Sequence, residues 1–497
     1  MINSQIILSQ SDIKSCELAS NILPAERINR ATQGIFRSVK WEGRIAVFCG
    51  GAEIAEYGYM LTQLLSKSNY SVTLFEFEPS YSQFEEPISR KQFAEFSGGD
   101  EFSIIVDCIL GANLDTKMTL QCQELIMKIN KAHALGTFIV SIDLNSGLGV
   151  DTGITDLAVI SNLTLALGCY KRGHFINSAK DFVGEVRLID NGVDYANTHA
   201  GYACLLVNHS MISSLFPKRK NFTNKSSYGK VALIGGSINY PGAIKLVNAG
   251  LSSLFAGAGI STIVAPKSLK DALLPHILQS TFMPAPDKCG YIKFSTRLLD
   301  SIIESYDVIA IGPGLGRSSD IVNIMTYLLN HFNGTLIIDA DGINNLIGHV
   351  ELINHSNATI ILTPHPREFA RITDNDLNYI LNNPVESVQH FVENTNATLL
   401  LKGSSTLVSS SKESYAYLVN KGCPGMAVGG SGDVLCGLIA GLCALKTAPP
   451  VLSASAGAYI AGCAGMMAAN EINEYSMLPT DTVAFIPRII SEIIACL

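Results

Sequence analysis

Gly429-Gly430-Ser431-Gly432-Asp433-Val434-Leu435 runs directly into Cys436-Gly437-Leu438-Ile439-Ala440-Gly441-Leu442. The first stretch is a glycine-rich turn. The second is an apolar run of small residues that reads as a buried helix. A glycine turn that opens a helix aims unpaired backbone N–H groups at one spot, and the helix dipole favours an anion there. Asp433 falls in the first turn, where a carboxylate can simply cap the helix. The glycines on both sides argue for more. They let a ligand approach the backbone closely, and a phosphate beside a carboxylate is a site for phosphoryl or proton transfer.

Upstream of this turn, strand-like runs end one after another in polar or glycine turns. Lys230–Ile234 leads to Gly235-Gly236-Ser237, and Asp307–Ile311 to Gly312-Pro313-Gly314-Leu315-Gly316. Leu336–Ile338 leads to Asp339-Ala340-Asp341, Thr359–Leu362 to Thr363-Pro364-His365-Pro366, and Ala397–Leu401 to Lys402-Gly403-Ser404-Ser405-Thr406. Strands that alternate with helices predict a parallel sheet whose C-terminal strand ends line one cleft. A helix of small residues is expected from about Pro241 to Phe255. The same alternation fills the first half, with strands near 44–49, 72–77, 103–107, 137–143, 163–168 and 184–190 and helices near 56–68 and 119–134. Asp107 and Asp143 close two of those strands, where such sheets place ligands. Residues 1–42 read as polar and helical. The pattern restarts at Lys230 after the linker-like Phe216-Pro217-Lys218-Arg219-Lys220-Asn221, so domains are expected over 1–205 and 206–497.

Bulk properties agree with an α/β enzyme. Of 497 residues, 47% are hydrophobic, only 16% are charged and 42 are glycine. A net charge of −8 without a basic stripe argues against a nucleic-acid partner. The 12 cysteines are scattered through apolar contexts without a Cys-x-x-Cys pair, and the 10 histidines form no His-Glu-x-x-His. No basic region followed by an apolar core opens the chain, and no apolar run reaches about 18 residues. The expectation is a cytoplasmic protein with no signal peptide and no membrane span.

Singly, the motifs say little. Gly312–Gly316 lacks the helix spacing and acidic residue of a dinucleotide fingerprint, and Lys402–Thr406 lacks the order of a P-loop. Its lysine, hydroxyls and amides could still hold phosphates. Asp339 and Asp341 suit a turn, a metal or a hydroxyl, and His365 sits on a rigid loop between two prolines. Together and in order, Gly-Pro-Gly-Leu-Gly, Asp-Ala-Asp, Thr-Pro-His-Pro-x-Glu-Phe, Leu-Lys-Gly-x-x-Thr and Gly-Met-Ala-x-Gly-Gly-x-Gly-Asp-Val-Leu resemble the carbohydrate-kinase-like NAD(P)H-hydrate dehydratases over about 222–497. The resemblance implies a ribokinase-like fold and a repair reaction: the hydrated nicotinamide ring of NADH or NADPH is dehydrated while ADP goes to AMP and phosphate. It implies Asp433 as catalytic base, with Lys402, Gly403, Ser404, Ser405, Thr406 and Gly432 on the ADP. It implies Ala243, Gly314, His365 and Asp433 on the hydrate, and Mg2+ with the nucleotide. Arg367 departs from the family's usual glycine and is expected to narrow the pocket or add a phosphate contact.

The first half resembles the partner NAD(P)H-hydrate epimerase domain, which implies a Rossmann-like three-layer fold. Val106–Gly111, Ile142–Leu148, Asp151-Thr152-Gly153 and Lys171-Arg172-Gly173-His174 carry the match. It implies Asp143 in substrate binding and proton chemistry, and Asp107 and Ser146 as ligands of a potassium ion. The family's Asn-Asn-Gly-Gly-Asp-Gly loop stands here as Glu53-Ile54-Ala55-Glu56-Tyr57-Gly58. Ile54 brings no oxygen to a cation, and Asn145 replaces a usual proline, so epimerisation is expected to be weak or absent. The rival reading is a small-molecule kinase of the ribokinase superfamily carrying a non-catalytic nucleotide-binding or oligomer-forming module. The expected partners are small molecules and further copies of the chain in a homo-oligomer.

Overall fold

The computed structural model describes residues 5–51, 53–77, 88–98, 102–112, 118–252 and 258–495. Two compact units make up the chain, Met1–Leu205 and Leu206–Leu497.

The first unit is built on a 7-stranded sheet of parallel strands. Their order is Ser89–Gln92, Ser71–Glu76, Arg44–Cys49, Ile104–Cys108, Phe138–Ile142, Leu163–Leu167, Glu185–Ile189. Alternate residues of Arg44–Cys49 go to opposite faces. Ile45, Val47 and Cys49 pack with Ala31, Ile35, Leu61 and Leu65 of helices Pro24–Ser38 and Ile54–Lys67. Ala46 and Phe48 pack with Leu125, Ile126 and Ile129 of helix Leu120–Ala134. Burial on both faces makes three layers. The strand order reverses between Arg44–Cys49 and Ile104–Cys108, the switch point where such sheets receive ligands. The N-terminal segment holds helices Gln10–Ala19 and Pro24–Ser38, as its reading predicts. It also holds a short strand, Ile6–Leu8, paired with Ala203–Leu206.

In the second unit the strands lie in the order Thr281–Ala285, Ala258–Pro266, Gly229–Ile234, Val308–Ile311, Thr335–Ile338, Thr359–Leu362, Ala397–Leu401, all parallel. Thr406–Ser410 and Tyr415–Val419 extend that sheet antiparallel. One face, with Val231, Leu233, Ile263, Val308, Ala310, Ile337 and Leu400, is covered by helices Ser431–Ala444 and Pro450–Glu471. On the other face, Ile234 and Val264 gather with Leu299, Ile302 and Ile324. The expected buried helix is Ser431–Ala444, and every residue from Val434 to Ala444 is buried. It lies backbone to backbone on helix Pro241–Ser252: a Cβ at Gly437 would stand 1.8 Å from the Val247 carbonyl oxygen, and one at Gly250 2.1 Å from that of Val434. The expected end of helix Pro241–Ser252, near Phe255, lies outside the described residues.

One expectation needs correction. Helix Pro450–Glu471, 22 residues long, is long and apolar enough to cross a membrane by length and composition, so a run of that length does stand in the sequence. Its alanines and glycines make it apolar, and 78% of its most apolar window is buried inside the unit, as a core helix requires.

Candidate active site

The strand ends of the second unit converge as the alternation predicts. Asp339 follows Thr335–Ile338 and is 1% exposed. Its Oδ1 accepts from Lys402 Nζ at 3.0 Å and from Thr363 Oγ1 at 2.8 Å. Three neighbouring parallel strands supply these residues. Ala340 turns the chain at φ 48°, ψ −117°, outside ordinary backbone for a residue with a Cβ. Beyond the turn, Asp341 Oδ2 accepts the Gly316 N–H at 2.8 Å. Both aspartates of the Asp-Ala-Asp motif are thereby occupied.

Lys402–Ser405 is the turn between antiparallel strands Ala397–Leu401 and Thr406–Ser410, with Thr406 the first residue of the second strand. Gly403 and Ser404 are exposed, while Ser405 donates to Asn420 Oδ1 at 3.1 Å. Lys402 N donates to the Pro364 carbonyl at 2.9 Å, which ties this turn to the one carrying His365. Gly430 opens helix Ser431–Ala444 at φ 102°, a conformation suited to glycine. Gly432, in the first turn, faces Lys402: a Cβ there would stand 3.3 Å from Nζ. Of the predicted nucleotide residues, Lys402 and Gly432 thus meet at the N-terminus of a 14-residue helix, and Gly403–Thr406 follow Lys402 in the chain. A helix N-terminus, a lysine and a glycine that leaves its side open suit a polyphosphate.

Asp433 is half-buried in that first turn. Burial, then the Asp339 and Asp341 charges, push its carboxyl up to about 7 against the opposing pull of Lys402. A carboxyl poised there is matched to proton abstraction near neutral pH. Lys402 is raised: burial works against its charge, and Asp339 with Glu368 more than offsets it.

Gly314 and Ala243 also come together. Gly314 has φ 71°, and a Cβ on it would lie 2.8 Å from the Tyr240 carbonyl and 3.0 Å from the Ala243 Cβ. His365 caps helix Pro366–Thr373, its Nδ1 accepting from the amides of Arg367 and Glu368 at 3.1 and 3.3 Å. Its Nε2 lies 3.5 Å from Glu368 Oε1 on a half-open face. Burial, with Lys402 and Arg371, lowers its pKa against the pull of Glu368 and Asp339. Arg367 is exposed.

In the first unit a cavity of about 120 Å³ opens at the strand ends, lined by Glu17, Glu53, Ile54, Tyr57, Asp143 and Lys171 among others. Asp143 stands at φ 68° beyond Phe138–Ile142. Its carboxylate accepts from the buried Lys171 ammonium and from the Leu167 amide. His174 Nε2 faces the Asp143 carbonyl at 2.6 Å, and Nδ1 accepts the Lys171 amide at 3.0 Å. Tyr57 is held protonated by burial and by the charges of Asp143, Glu17 and Glu53, with Arg27 opposing.

Asp107 and Ser146 are also brought together, but with their oxygens committed to the chain. Asp107 Oδ1 accepts from Ser146 Oγ at 2.6 Å and Ile109 N at 3.2 Å; Oδ2 accepts from Ser141 Oγ and Ser146 N, both at 2.9 Å. Ser146 Oγ itself accepts the Leu110 amide at 2.9 Å. A carboxylate offers about four acceptor positions, and here all are taken. Ile54 presents only carbon, packed so that a Cβ at Gly111 would touch it at 3.0 Å. This donor set does not fit a potassium ion.

Sequence reasoning missed the Asp339–Lys402 pair, the Thr363 hydroxyl that orients it, and the Glu17 lining of the first cavity. Asp-Ala-Asp carried a signal, but nothing local marks its partner.

The comparisons fit this geometry. The NAD(P)H-hydrate dehydratase family matches residues 231–488, and the YjeF-related protein N-terminus family matches 25–173. A bifunctional NAD(P)H-hydrate repair enzyme of Moorella thermoacetica is 31% identical over 398 residues, 78% of this chain and 73% of that protein. One from Coxiella burnetii is 28% identical over 496 residues, 95% and 96% of the two chains. Among solved structures, a ribokinase-like superfamily protein of Enterococcus faecalis is 26% identical with a TM-score of 0.50, covering 58% of this chain and 95% of its own. An ADP/ATP-dependent NAD(P)H-hydrate dehydratase of Bacillus subtilis, crystallised with ATP and Mg2+, shares the fold at 23% identity and TM-score 0.50, covering 57% and 97%. With a dehydratase pattern spanning its second unit and full-length relatives of this kind, the chain belongs to the bifunctional NAD(P)H-hydrate repair enzymes.

Proposed function

We propose that residues 206–497 dehydrate the S form of hydrated NADH or NADPH with ADP as phosphoryl donor. The observation that carries this is Asp433, a carboxyl with a pKa near 7 in the first turn of a glycine-flanked helix facing Lys402. The ring hydroxyl of the hydrate is a poor leaving group. Asp433 takes its proton, the hydroxyl oxygen bonds to the β-phosphorus of ADP, and the bond to AMP breaks. Phosphate then leaves with the C–O electron pair, and a neighbouring ring proton is lost as the double bond reforms. Lys402 and the amides of Gly403–Thr406 and Gly432 hold the phosphates, and Gly314, Ala243 and His365 border the hydrate. Mg2+ would arrive on the phosphate oxygens, the hard oxygen ligands it prefers. The buried free thiols of Cys49, Cys108 and Cys436 suit the reducing cytoplasm.

Asp433→Asn keeps the shape of the side chain and removes the base. Turnover is expected to fall about 10²–10⁴-fold while ADP binding by calorimetry stays near normal. Near-normal turnover refutes the assignment. ADP is expected to give higher initial rates than ATP at matched concentration, a point that rests on the family resemblance; a clear preference for ATP refutes that part.

For residues 1–205 we propose an epimerase-like site that works without potassium and turns over weakly. Ile54 and the committed oxygens of Asp107 support this. In the full chain carrying Asp433→Asn, conversion of R to S hydrate is expected to stay near the spontaneous rate, equally in K+ and Na+. A large acceleration specific to K+ contradicts it.

A further inference from the structure

Lys402 is placed where electrostatics alone would not leave it. Its ammonium lies beside the first turn of helix Ser431–Ala444, 3.3 Å from where a Gly432 Cβ would stand, at the positive end of the helix dipole. Asp339 holds it there through a 3.0 Å hydrogen bond, and the carboxylate is itself fixed by Thr363 Oγ1 at 2.8 Å. Asp339 is 1% exposed and follows directly on its strand, just before the strained Ala340. A buried carboxylate with this geometry cannot drift, and neither can the lysine it pairs with.

We propose that Asp339 is a positioning residue for the dehydration: it fixes the Lys402 ammonium beside Gly432 and thereby sets the protonation of Asp433. The proposal rests on the reading of Asp433 as the base. The groups facing this region are Asp339 and Asp341 from the Asp-Ala-Asp turn, Lys402 from the next turn but one, His365 with Glu368 and Arg371 from the turn and helix between them, and Cys436 one turn along the helix. Asp339 raises the Asp433 carboxyl by its charge, and Lys402 lowers it. With Asp339 present the ammonium is shared, so Asp433 keeps enough basicity to take a hydroxyl proton. Without Asp339 the repulsion vanishes and the ammonium is free to pair with Asp433; both changes make Asp433 a weaker base.

The test is the pH profile of kcat/KM for hydrated NADH with saturating ADP, using the full chain. The wild-type acid limb is expected near 7. Asp339→Asn should move it down by about one pH unit and lower the plateau at least tenfold. Asp339→Glu, which keeps the charge, should leave the limb in place. An unmoved or raised limb in Asp339→Asn overturns the proposal. Circular dichroism shows whether that variant folds. If it does not, Lys402→Met runs the test in reverse: the limb should rise by about one unit, and no rise overturns the proposal. Asp433→Asn measured alongside separates the two readings. Near-normal turnover there removes the base itself, whereas an inactive Asp433→Asn with an unmoved Asp339→Asn limb removes only the role of Asp339.

Discussion

His174 is neutral because both ring nitrogens are used in the neutral form. Nδ1 accepts the Lys171 amide and Nε2 donates to the Asp143 carbonyl. Burial and the Lys171 charge bring its pKa down to about 4, against the opposing hydrogen bond and charge of Asp143. A free histidine titrates near 6.5. Between those values the unfolded chain binds a proton that the folded chain does not. The stability from this residue is therefore complete above about 6.5 and lost as pH falls toward 4, on the order of 3 kcal/mol in all. Trp41 is the only tryptophan of the chain, lies in the first unit and is 7% exposed, so its fluorescence in urea reports that unit. His174→Gln should flatten the slope between pH 6.5 and 4.5. Asp107, whose carboxyl is raised by burial and gives the opposite slope, is common to both proteins. Equal slopes would remove His174 from the account. At this scale the sequence was legible where chemistry is local. Asp433 announces itself by the glycines around it. The Asp339–Lys402 pair does not, because its members are 63 positions apart and only the order of three strands makes them neighbours.

The elements were legible for the same reason. Runs such as Thr359–Leu362 and Ala397–Leu401 are apolar but for one threonine each, as suits strands covered on both faces, and both stand where they are expected. Ile6–Leu8 is too short for any period to show, and its partner Ala203–Leu206 is far along the chain. Helix Ser431–Ala444 shows what pattern reading leaves out. Its apolar character marks burial, but not that Gly437 is needed for backbone contact. Gly→Ala inside a helix ordinarily stabilises by up to about 1 kcal/mol. Here the added Cβ would stand 1.8 Å from the Val247 carbonyl oxygen, so Gly437→Ala should instead destabilise the second unit by about 1–3 kcal/mol. Thermal unfolding decides the sign, and an unchanged or raised Tm means the two helices slide apart at little cost.

Each unit puts its candidate site beyond the carboxyl ends of its own parallel strands. The Enterococcus faecalis structure has 95% of its chain matched by 58% of this one, so this fold also exists without a first unit. Residues 206–497 expressed alone should therefore fold and retain dehydration of the S hydrate at a rate within a few-fold of the full chain. Aggregation of that segment would show that the first unit shields part of its core.

The helices that cover one face of the second sheet have a consequence for synthesis. Ser431–Ala444 and Pro450–Glu471 lie downstream of every strand they cover. As the chain emerges from the ribosome, the strands from Gly229–Ile234 to Ala397–Leu401 appear first. Helix Pro241–Ser252 is made early and gives Val231, Leu233, Ile263, Val308, Ala310, Ile337 and Leu400 part of their cover, and the rest waits for the last helices. Until then a nascent second unit keeps part of an apolar strand face uncovered, the kind of surface that chaperones bind, and the Gly429–Asp433 turn is among the last parts to be made.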